Sequence, residues 1–363
     1  MAEMILENGT PAQKQKAEAY IRIAGQMRGQ RQQLAELSRP LSPDAGERLR
    51  KVFDAQNRSE LPGTLVRSEG DGPTGDEAVD EAYVGSGATH DLYANIFGRN
   101  SIDNQGMAIK STVHFMEGYD NAFWNGEQMV YGDGDEDLPE EDRLFNRFTV
   151  AIDIIAHELT HGVTQYEANL VYRNQPGALN ESFSDVFGSM VKQRFNDQKT
   201  DEADWLIGEG LFTSNVNAMG IRSMKAPGTA YDDPMLGRDP QPGHMDNYVD
   251  TTADNGGVHI NSGIPNRAFY QAALELGGYS WEKAGLIWYR TLCEELDQTA
   301  DFQAAADATY RVAGNLFGSG SSEQEAVYKG WQAVGIVPAG GNRRGCRGLI
   351  SSAWRSIFGG RNT

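Results

Sequence analysis

The feature that most constrains this chain is a histidine–glutamate–x–x–histidine sequence at positions 157–161, directly after an almost wholly apolar turn. Residues four apart lie one above the other on an α-helix, so His157 and His161 can reach one cation. Glu158 can contact a water bound to that cation from the side. A surface helix that carries these residues by accident is the alternative, but polar groups on a helix with an apolar beginning need partners, which a metal supplies. The sequence therefore predicts a buried metal-binding helix.

A second cluster, from Asn180 to Asp185, offers the third protein ligand that a catalytic zinc ion requires. Glu181 follows His161 by 20 positions, which leaves room for a loop and a returning helix. Asp185 comes one turn after Glu181, on the same face, where it can accept a hydrogen bond from a ligating imidazole and fix its tautomer. We expect one zinc ion to bind His157, His161 and Glu181.

A third cluster surrounds a glycine pair between Asp254 and Ser262. The glycines allow a tight turn, after which His259 enters a helix. A histidine oriented by Asp254 can donate to an oxygen on which negative charge develops. A helix-capping loop with a structural histidine explains the same pattern. The cluster on its own leaves both interpretations open.

Charge and composition limit the partners of this 363-residue chain. Its net charge of −19 argues against nucleic acid as a partner. Residues 1–60 have a net charge of +2 and residues 339–363 of +5, so the acidity belongs to the central body. The two cysteines, Cys293 and Cys346, cannot form a disulfide framework. An acidic body with differently charged ends is therefore expected.

Hydrophobic periodicity divides the body into a half with strands and a half of helices. Alternation predicts strands over 107–117 and 121–131. The predicted helices are 12–37, 44–55, 78–98, 148–166, 178–196, 260–276, 281–296, 301–317 and 322–335. This order predicts an α+β fold.

Five separated segments together resemble the thermolysin-like zinc metallopeptidases, from about residue 61 to residue 337. The segments are 121–124, 157–161, 177–185, 222–224 and 254–264. The resemblance implies a two-domain thermolysin-like α+β fold. Its parts are an N-terminal β-containing domain (61–166) with the zinc helix at the cleft floor and a C-terminal, mainly helical domain (167–338). It also implies a zinc endopeptidase that acts on peptides, and we expect a monomer.

Motif positions in the family imply a role for each candidate site residue. Zinc is assigned to His157, His161 and Glu181, and the general base is Glu158. Tyr172 and His259 are implied to contact the transition state, and Asp254 to support His259. Asn121, Ala122 and Arg222 are implied to contact the peptide backbone. Asn180 and Asp185 are implied to support the zinc histidines. This set activates a water and stabilises a tetrahedral oxyanion.

The resemblance also implies an apolar pocket beside the scissile bond. It is lined by Phe145, Phe148, Ile154 and Ile221. Such a pocket predicts cleavage before Leu, Phe, Ile or Val, although the same residues also suit ordinary core packing. A zinc aminopeptidase is one alternative, but the chain lacks the Gly-x-Met-Glu-Asn segment that binds a free amine. A catalytically silent binding homologue is another, although every catalytic role has its residue.

Both ends of the chain extend beyond the body. Residues 1–60 resemble the short propeptide of the protealysin-like branch, with a junction at Leu61-Pro62-Gly63, or they are an extension of unrelated purpose. No secretory leader is visible at the start, which predicts leaderless secretion, action inside the cell or an incomplete start. Residues 339–363 form a basic tail that either binds an anionic membrane, folds back on the acidic body or stays disordered, and the last two are favoured.

The double calcium site of the family is expected to be lost here. Counting along the helix from Glu181 puts Lys192 at the position of a bridging glutamate, and Leu206 occupies another ligand position. Acids remain at Asp153, Asp204 and Glu209. An ammonium among three carboxylates neutralises part of their charge without calcium. A lysine that points into solvent is the alternative, and the acidic loop 133–142 keeps weak calcium binding possible.

Overall fold

The computed structural model describes residues 1–35 and 47–340. Its helices are α1 (Ala2–Asn8), α2 (Pro11–Ala35), α3 (Glu77–Phe97), α4 (Ile152–Tyr166), α5 (Asn174–Phe195), α6 (Asp254–Asn261), α7 (Gly263–Leu276), α8 (Lys283–Glu294), α9 (Phe302–Phe317) and α10 (Ser322–Gln332). Its strands are β1 (Arg50–Asp54), β2 (Thr64–Ser68), β3 (Ile109–Val113), β4 (Ala122–Trp124), β5 (Met129–Tyr131), β6 (Leu206–Ile207), β7 (Arg222–Ser223), β8 (Asp232–Asp233) and β9 (Gly237–Arg238). Within these ranges, none of the helices combines the length and apolarity needed to cross a membrane. The predicted α+β order of strands followed by helices is confirmed.

A five-stranded mixed sheet forms the N-terminal half, with the order β2-β1-β3-β5-β4. β1 and β3 are parallel, as are β3 and β5, whereas β4 pairs antiparallel with β5. The segment predicted as one strand over 121–131 is therefore a hairpin of two short strands. β4 lies at the edge of the sheet, a position where another extended chain can pair with it.

Strand β1 corrects the prediction for the N-terminal region. The predicted helix over 44–55 is wrong for Arg50–Asp54, which pairs with both β2 and β3. Val52 is fully buried there, and this burial outweighs the local preference of its charged neighbours. Arg50–Asp54 therefore belongs to this sheet, and the boundary predicted at residue 60 falls between two paired strands.

Helix α4, which carries the histidines, and helix α5, which carries the acidic stretch, pack closely against each other. A Cβ at Gly188 of α5 would lie 2.6 Å from the backbone oxygen of Asp153 in α4. On the other side of α4, a Cβ at Gly85 of α3 would lie 2.5 Å from Ile155 Cδ1. Only glycine permits both approaches, and they place the acidic stretch of α5 beside the histidines of α4.

The helical half has its own aromatic core. Trp288 of α8 and Trp331 of α10 stack with ring centroids 6.5 Å apart, and Trp331 Nε1 donates to Thr309 Oγ1 of α9 at 2.8 Å. Cys293 on α8 is a free thiol whose pKa burial raises to about 12. Cys346 and the basic tail from residue 341 lie outside the described residues.

His114, just after β3, joins two carboxylates from different parts of the N-terminal half. Its Nδ1 lies 2.8 Å from Asp133 Oδ2 and its Nε2 3.0 Å from Asp76 Oδ2. The hydrogen bond to Asp133 is the largest influence and outweighs burial, so the pKa of His114 is raised to about 9. Because the folded pKa exceeds the unfolded value of about 6.5, the charged imidazole stabilises the fold fully below about pH 6.5. That stabilisation is lost as the pH rises through about 9.

We expect His114→Asn to lower the free energy of unfolding by about 1–2 kcal/mol at pH 6, after allowance for solvent screening, and by almost nothing at pH 10. Asparagine is the chosen substitute because it tolerates the left-handed backbone of this position, where φ is 52°. Urea unfolding of both proteins at the two pH values measures the difference. An equal loss at pH 6 and pH 10 would show that the imidazole acts through packing and not through its charge.

Candidate metal centre and active site

Three buried side chains converge between α4 and α5. His157 and His161 are one turn apart on α4, with their rings edge to face at 4.8 Å. His157 Nε2 lies 3.4 Å from Glu181 Oε2, and His161 Nε2 lies 3.4 Å from Glu181 Oε1. The ligand atoms of all three residues lie within 4.8 Å of one another. Two imidazole nitrogens and a carboxylate around one point form a donor set typical of catalytic zinc.

Partners from α5 orient both histidines. His157 Nδ1 donates to Asp185 Oδ1 at 2.8 Å, and His161 Nδ1 donates to Asn180 Oδ1 at 2.8 Å. Since Nδ1 is the donor in each ring, each Nε2 faces Glu181 at the centre. Ser184 Oγ, 3.1 Å from His161 Nδ1, was not among the residues expected from the sequence. Its position one turn after Asn180 is the signal that could have found it.

The electrostatics of this cluster favour a cation at its centre. Burial lowers the pKa of His157, but the neighbouring carboxylates of Asp185 and Glu181 outweigh it and raise the pKa to about 10. Burial acts to raise the pKa of Glu181, yet the neighbouring histidines hold it well below its usual range. Glu181 Oε2 is buried and has no hydrogen-bond partner among the described residues. A carboxylate oxygen buried in this way fits a metal ligand, so the residues fit zinc.

Asp185 links the metal cluster to the rest of the helical half. Besides His157, it accepts hydrogen bonds from Arg222 Nε at 2.7 Å, Arg222 Nη2 at 2.6 Å and Asn266 Nδ2 at 2.8 Å. Burial acts to raise the pKa of Asp185, but Arg222 and His157 lower it to about 2. The sequence predicted that Arg222 contacts substrate, and the structure occupies two of its three nitrogens with Asp185. Asn266, fully buried on the apolar helix α7, was missed.

The third cluster, from Asp254 to Ser262, brings His259 next to the metal centre. His259 Nδ1 donates to Asp254 Oδ1 at 2.6 Å, and the His259 amide donates to Asp254 Oδ2 at 2.8 Å. Tyr172 Oη lies 3.1 Å from His259 Nε2 and contacts Glu181. The His259 side chain is 39% exposed, whereas the ligand side chains are at most 5% exposed. His259 and Tyr172 therefore lie at the open side of the centre.

The backbone of this turn explains the glycine pair. Positions 254 to 257 all have positive φ, from 50° at Asp254 to 86° at Gly256. A side chain at Gly256 would also collide with Asn174 Oδ1 of α5. This left-handed run turns the chain sharply enough for Asp254 to reach back to His259, so the turn and the hydrogen bond depend on each other.

Glu158 faces the edge strand of the sheet. The backbone amide of Trp124 in β4 donates to Glu158 Oε2 at 3.1 Å, and Glu158 Oε1 lies 4.0 Å from His157 Nε2. Of the predicted substrate residues, Ala122 is the first residue of the same strand and Asn121 directly precedes it. The carboxylate is thus held between the metal ligands and a sheet edge that can pair with an extended peptide. The Trp124 amide has no sequence signal, because any residue supplies one.

The four predicted pocket residues form two pairs. Phe145 and Phe148 have ring centroids 5.9 Å apart, and Phe212, which the sequence did not single out, lies 5.2 Å from Phe145. Ile154 and Ile221 both approach Gly208, where an added Cβ would lie 3.5 Å from Ile154 Cδ1 and 2.9 Å from Ile221 Cγ1. The first pair is aromatic and the second aliphatic, so all four side chains are apolar.

A second ion cluster lies at the far end of α5. Lys192 Nζ is 2.8 Å from Asp204 Oδ2, 3.0 Å from Glu209 Oε2 and 3.9 Å from Asp153 Oδ2. The lysine is buried, so it does not point into solvent. Burial raises the pKa of Asp153 to about 6, against the opposing effect of Lys192. The four residues named from the sequence lie together here.

The metal centre, the carboxylate beside it and the exposed histidine–tyrosine pair define a zinc metallopeptidase. The family profile described as thermolysin metallopeptidase, catalytic domain, matches residues 13–165. The profile described as thermolysin metallopeptidase, alpha-helical domain, matches residues 168–336. The chain belongs to the thermolysin metallopeptidase family and is a zinc metalloendopeptidase. The aminopeptidase and silent-homologue alternatives are not favoured.

Individual relatives agree with this assignment. An extracellular metalloprotease from Pectobacterium carotovorum subsp. carotovorum is 51% identical over 336 residues, which is 92% of this chain and 93% of that protein. A solved structure of the precursor of protealysin, a metalloproteinase from Serratia proteamaculans, has a TM-score of 0.82 and 50% identity, and it covers 93% of this chain and 97% of its own. Thermolysin from Alicyclobacillus acidocaldarius subsp. acidocaldarius is 41% identical over 295 residues, 78% of this chain and 50% of that protein.

Proposed function

We propose that this chain is a neutral endopeptidase that cuts on the amino side of hydrophobic residues and is made with an inhibitory N-terminal segment. The observation that carries the proposal is the position of Glu158, between the His157–His161–Glu181 centre and the amide of the edge strand. A base next to both a metal and a strand edge can act on an extended peptide paired with that edge.

The ligands in this mechanism are His157, His161 and Glu181. When bound, zinc supplies a Lewis acid that polarises the scissile carbonyl and lowers the pKa of a water. Glu158, held by the Trp124 amide, accepts a proton from the attacking water and delivers it to the leaving amine.

The oxyanion is stabilised from the open side of the centre. Tyr172 and His259 donate hydrogen bonds to the oxygen on which negative charge develops. Asp254 keeps the imidazole ring in position through two hydrogen bonds, one to its Nδ1 and one to its backbone amide. Arg222 acts mainly by positioning Asp185, which in turn orients His157.

Specificity is proposed to follow from two groups of apolar side chains. Phe145, Phe148 and Phe212 form one aromatic group, and Ile154 with Ile221 forms an aliphatic one. These side chains exclude water and carry no charge, so they favour a hydrophobic residue directly after the cut.

The N-terminal segment is proposed to block the cleft. The α-amino group of Met1 is buried, which lowers its pKa, while Glu3 and Asp254 act in the opposite direction. The influence of the Asp254 charge on this amine supports a position of the N-terminus on the side of the body that carries His259. Asn8 Nδ2 donates to the backbone oxygen of Pro234, and Met4 packs at Gly237. A segment that occupies this side of the cleft competes with substrate.

The processing junction is proposed to lie between Ala35 and Arg50, and not at Leu61-Pro62-Gly63. The reason is β1, which would be removed from the middle of the sheet by a cut at residue 61. A cut before Arg50 leaves all five strands in place. The precursor form of the Serratia relative supports a zymogen for this chain as well.

A casein assay with and without a zinc chelator tests the function. We expect the chelator to abolish cleavage and added zinc to restore it, because no described residue replaces the metal as electrophile. N-terminal sequencing of the active species is expected to give a start between residues 36 and 50. Cleavage that survives complete zinc removal contradicts the proposed function, and an active species that begins at residue 61 or later contradicts the junction.

Lys192 is proposed to replace calcium at the far end of α5. Its ammonium contacts Asp204 and Glu209 at salt-bridge distance and lies near the buried Asp153. One ammonium among three carboxylates neutralises part of the negative charge that calcium ions would otherwise balance.

We expect the melting temperature of the wild type to change by less than about 2 °C when a calcium-selective chelator is added, because the ammonium already screens the acids. Lys192→Glu puts a fourth carboxylate there, so we expect a clearly lower melting temperature that calcium partly restores. Lys199→Glu, the same charge change at an exposed position, is the matched control. A large loss of wild-type stability on calcium removal would refute the replacement.

A further inference from the structure

A lysine of the N-terminal segment enters an acidic pocket on the body, away from the metal centre. Lys16 of α2 places its Nζ 2.5 Å from Asp137 Oδ1, 3.0 Å from Asp135 Oδ1 and 3.9 Å from Asp120 Oδ1. The backbone oxygen of Gly134 accepts a further hydrogen bond from Nζ at 3.3 Å. The Lys16 side chain is only 11% exposed, so this ammonium is bound and not merely close to acids.

The pocket is shaped by the body itself. Asp135 Oδ2 accepts hydrogen bonds from the amides of Leu144 and Phe145 at 2.8 and 2.9 Å, which leaves Oδ1 directed at the lysine. A Cβ at Gly118 would lie 2.5 Å from Lys16 Cε, so only glycine leaves room for the lysine stem. Burial and the charge of Asp135 raise the pKa of Asp120 to about 8. Asp135 and Asp137, which contact the ammonium directly, are costly without a cation.

A second contact lies seven residues further along α2. Ile23 is buried against the aromatic cluster of Phe115, Tyr119 and Phe123. The rings of that cluster meet edge to face, with centroids 5.3 to 6.0 Å apart. Seven residues are about two helical turns, so Lys16 and Ile23 lie on one face of α2. The body therefore offers a charged contact and an apolar contact at the spacing of one helix.

We propose that the pocket of Asp120, Asp135 and Asp137 is a docking site, separate from the metal centre, that recognises the N-terminal segment of this chain through Lys16. The inference rests on the proposed function in that the segment is the proposed inhibitor. Ile23 adds apolar area, which is not selective, whereas a buried ammonium among carboxylates discriminates sharply between residues at one position. Lys16 is thus the residue that determines which helix binds there.

Hydrogen exchange of the full chain carrying Glu158→Gln tests this, because that chain is expected to keep its segment. We expect Lys16→Met to accelerate amide exchange in α2 at least about tenfold, since it leaves the carboxylates without their cation. Lys14→Met is the matched control: Lys14 Nζ donates to the carbonyl oxygen of Glu7 within the same segment, and exchange should change less than about twofold. Exchange in α4 reports whether the body remains folded.

A second substitution keeps the test decisive if Lys16→Met also destabilises the fold of the body. Adding Asp137→Asn to Lys16→Met removes one uncompensated charge, so protection of α2 should recover at least in part. Unchanged α2 exchange in Lys16→Met, or an equal change in Lys14→Met, overturns the proposal. Absence of any recovery in the double variant overturns it too. None of these exchange measurements requires turnover, so they test the docking site independently of the enzymatic activity. Failure of the proposed function would instead appear as cleavage that survives zinc removal.

Discussion

Glu158→Gln is expected to lower kcat/KM for a peptide substrate by roughly 10²–10⁴-fold while the protein keeps one zinc ion. Glutamine preserves the shape of the side chain and can still interact with the Trp124 amide through its oxygen. It cannot accept the proton of the attacking water. The three proposed ligands are untouched, so the metal content should match that of the wild type. Peptide cleavage rates together with elemental analysis of zinc measure both effects.

The same variant should remain full length during purification, because self-processing needs the same base. Glu127→Gln, an exposed glutamate near the turn between β4 and β5, is the matched control and should behave as the wild type. Activity of the Glu158 variant within about fivefold of the wild type would refute the general-base role. Loss of zinc from the variant would instead mean that Glu158 contributes to binding of the metal.

Asp185→Asn is expected to have the largest effect on stability, about 3–5 kcal/mol, because it leaves the buried Arg222 guanidinium without its counter-ion. Arg222 is 8% exposed, and Asp185 is its salt-bridge partner through two nitrogens. The variant also loses the anionic acceptor for His157 Nδ1, so zinc affinity should fall about 10–100-fold. Urea unfolding and chelator competition in the Glu158→Gln background measure the two quantities.

The two effects of Asp185 can be separated with a second substitution. Arg222→Met in the Asp185→Asn background removes the uncompensated cation, and it should restore part of the stability but none of the zinc affinity. If both quantities recover together, Asp185 acts on the metal only through the fold. An Asp185→Asn protein as stable as its parent would contradict the assigned role of the buried ion pair.

Two lysines in this protein occupy places among carboxylates, with different consequences. Lys192 belongs to α5 of the body and stays with it, so its charge is a permanent part of the fold. Lys16 belongs to the N-terminal segment, so removal of the segment removes its charge from the pocket. Processing is therefore expected to leave a carboxylate cluster without its cation on the body, which favours rebinding of the segment.

The sequence alone determined the features that depend on short-range geometry. Helical periodicity brings His157 and His161 to one face, and the same rule puts Asp185 one turn after Glu181. Both relations span only about one turn of one helix, so local spacing is sufficient. Lys192 needed more: the family resemblance supplied the position of a bridging glutamate, counting along the helix from Glu181 located the lysine, and the structure places it among the three acids named with it.

Only the tertiary structure decided the relations between distant segments. β1 was mistaken for a helix because its strand character comes from pairing with β3, more than 50 residues away. The amide of Trp124 reaches Glu158 across 34 positions, and Lys16 reaches Asp135 across 119. Neither a backbone amide nor a single lysine has a sequence signature. Their partners are set by long-range burial, which requires an unpaired amide or charge to find a partner wherever the folded chain brings one close.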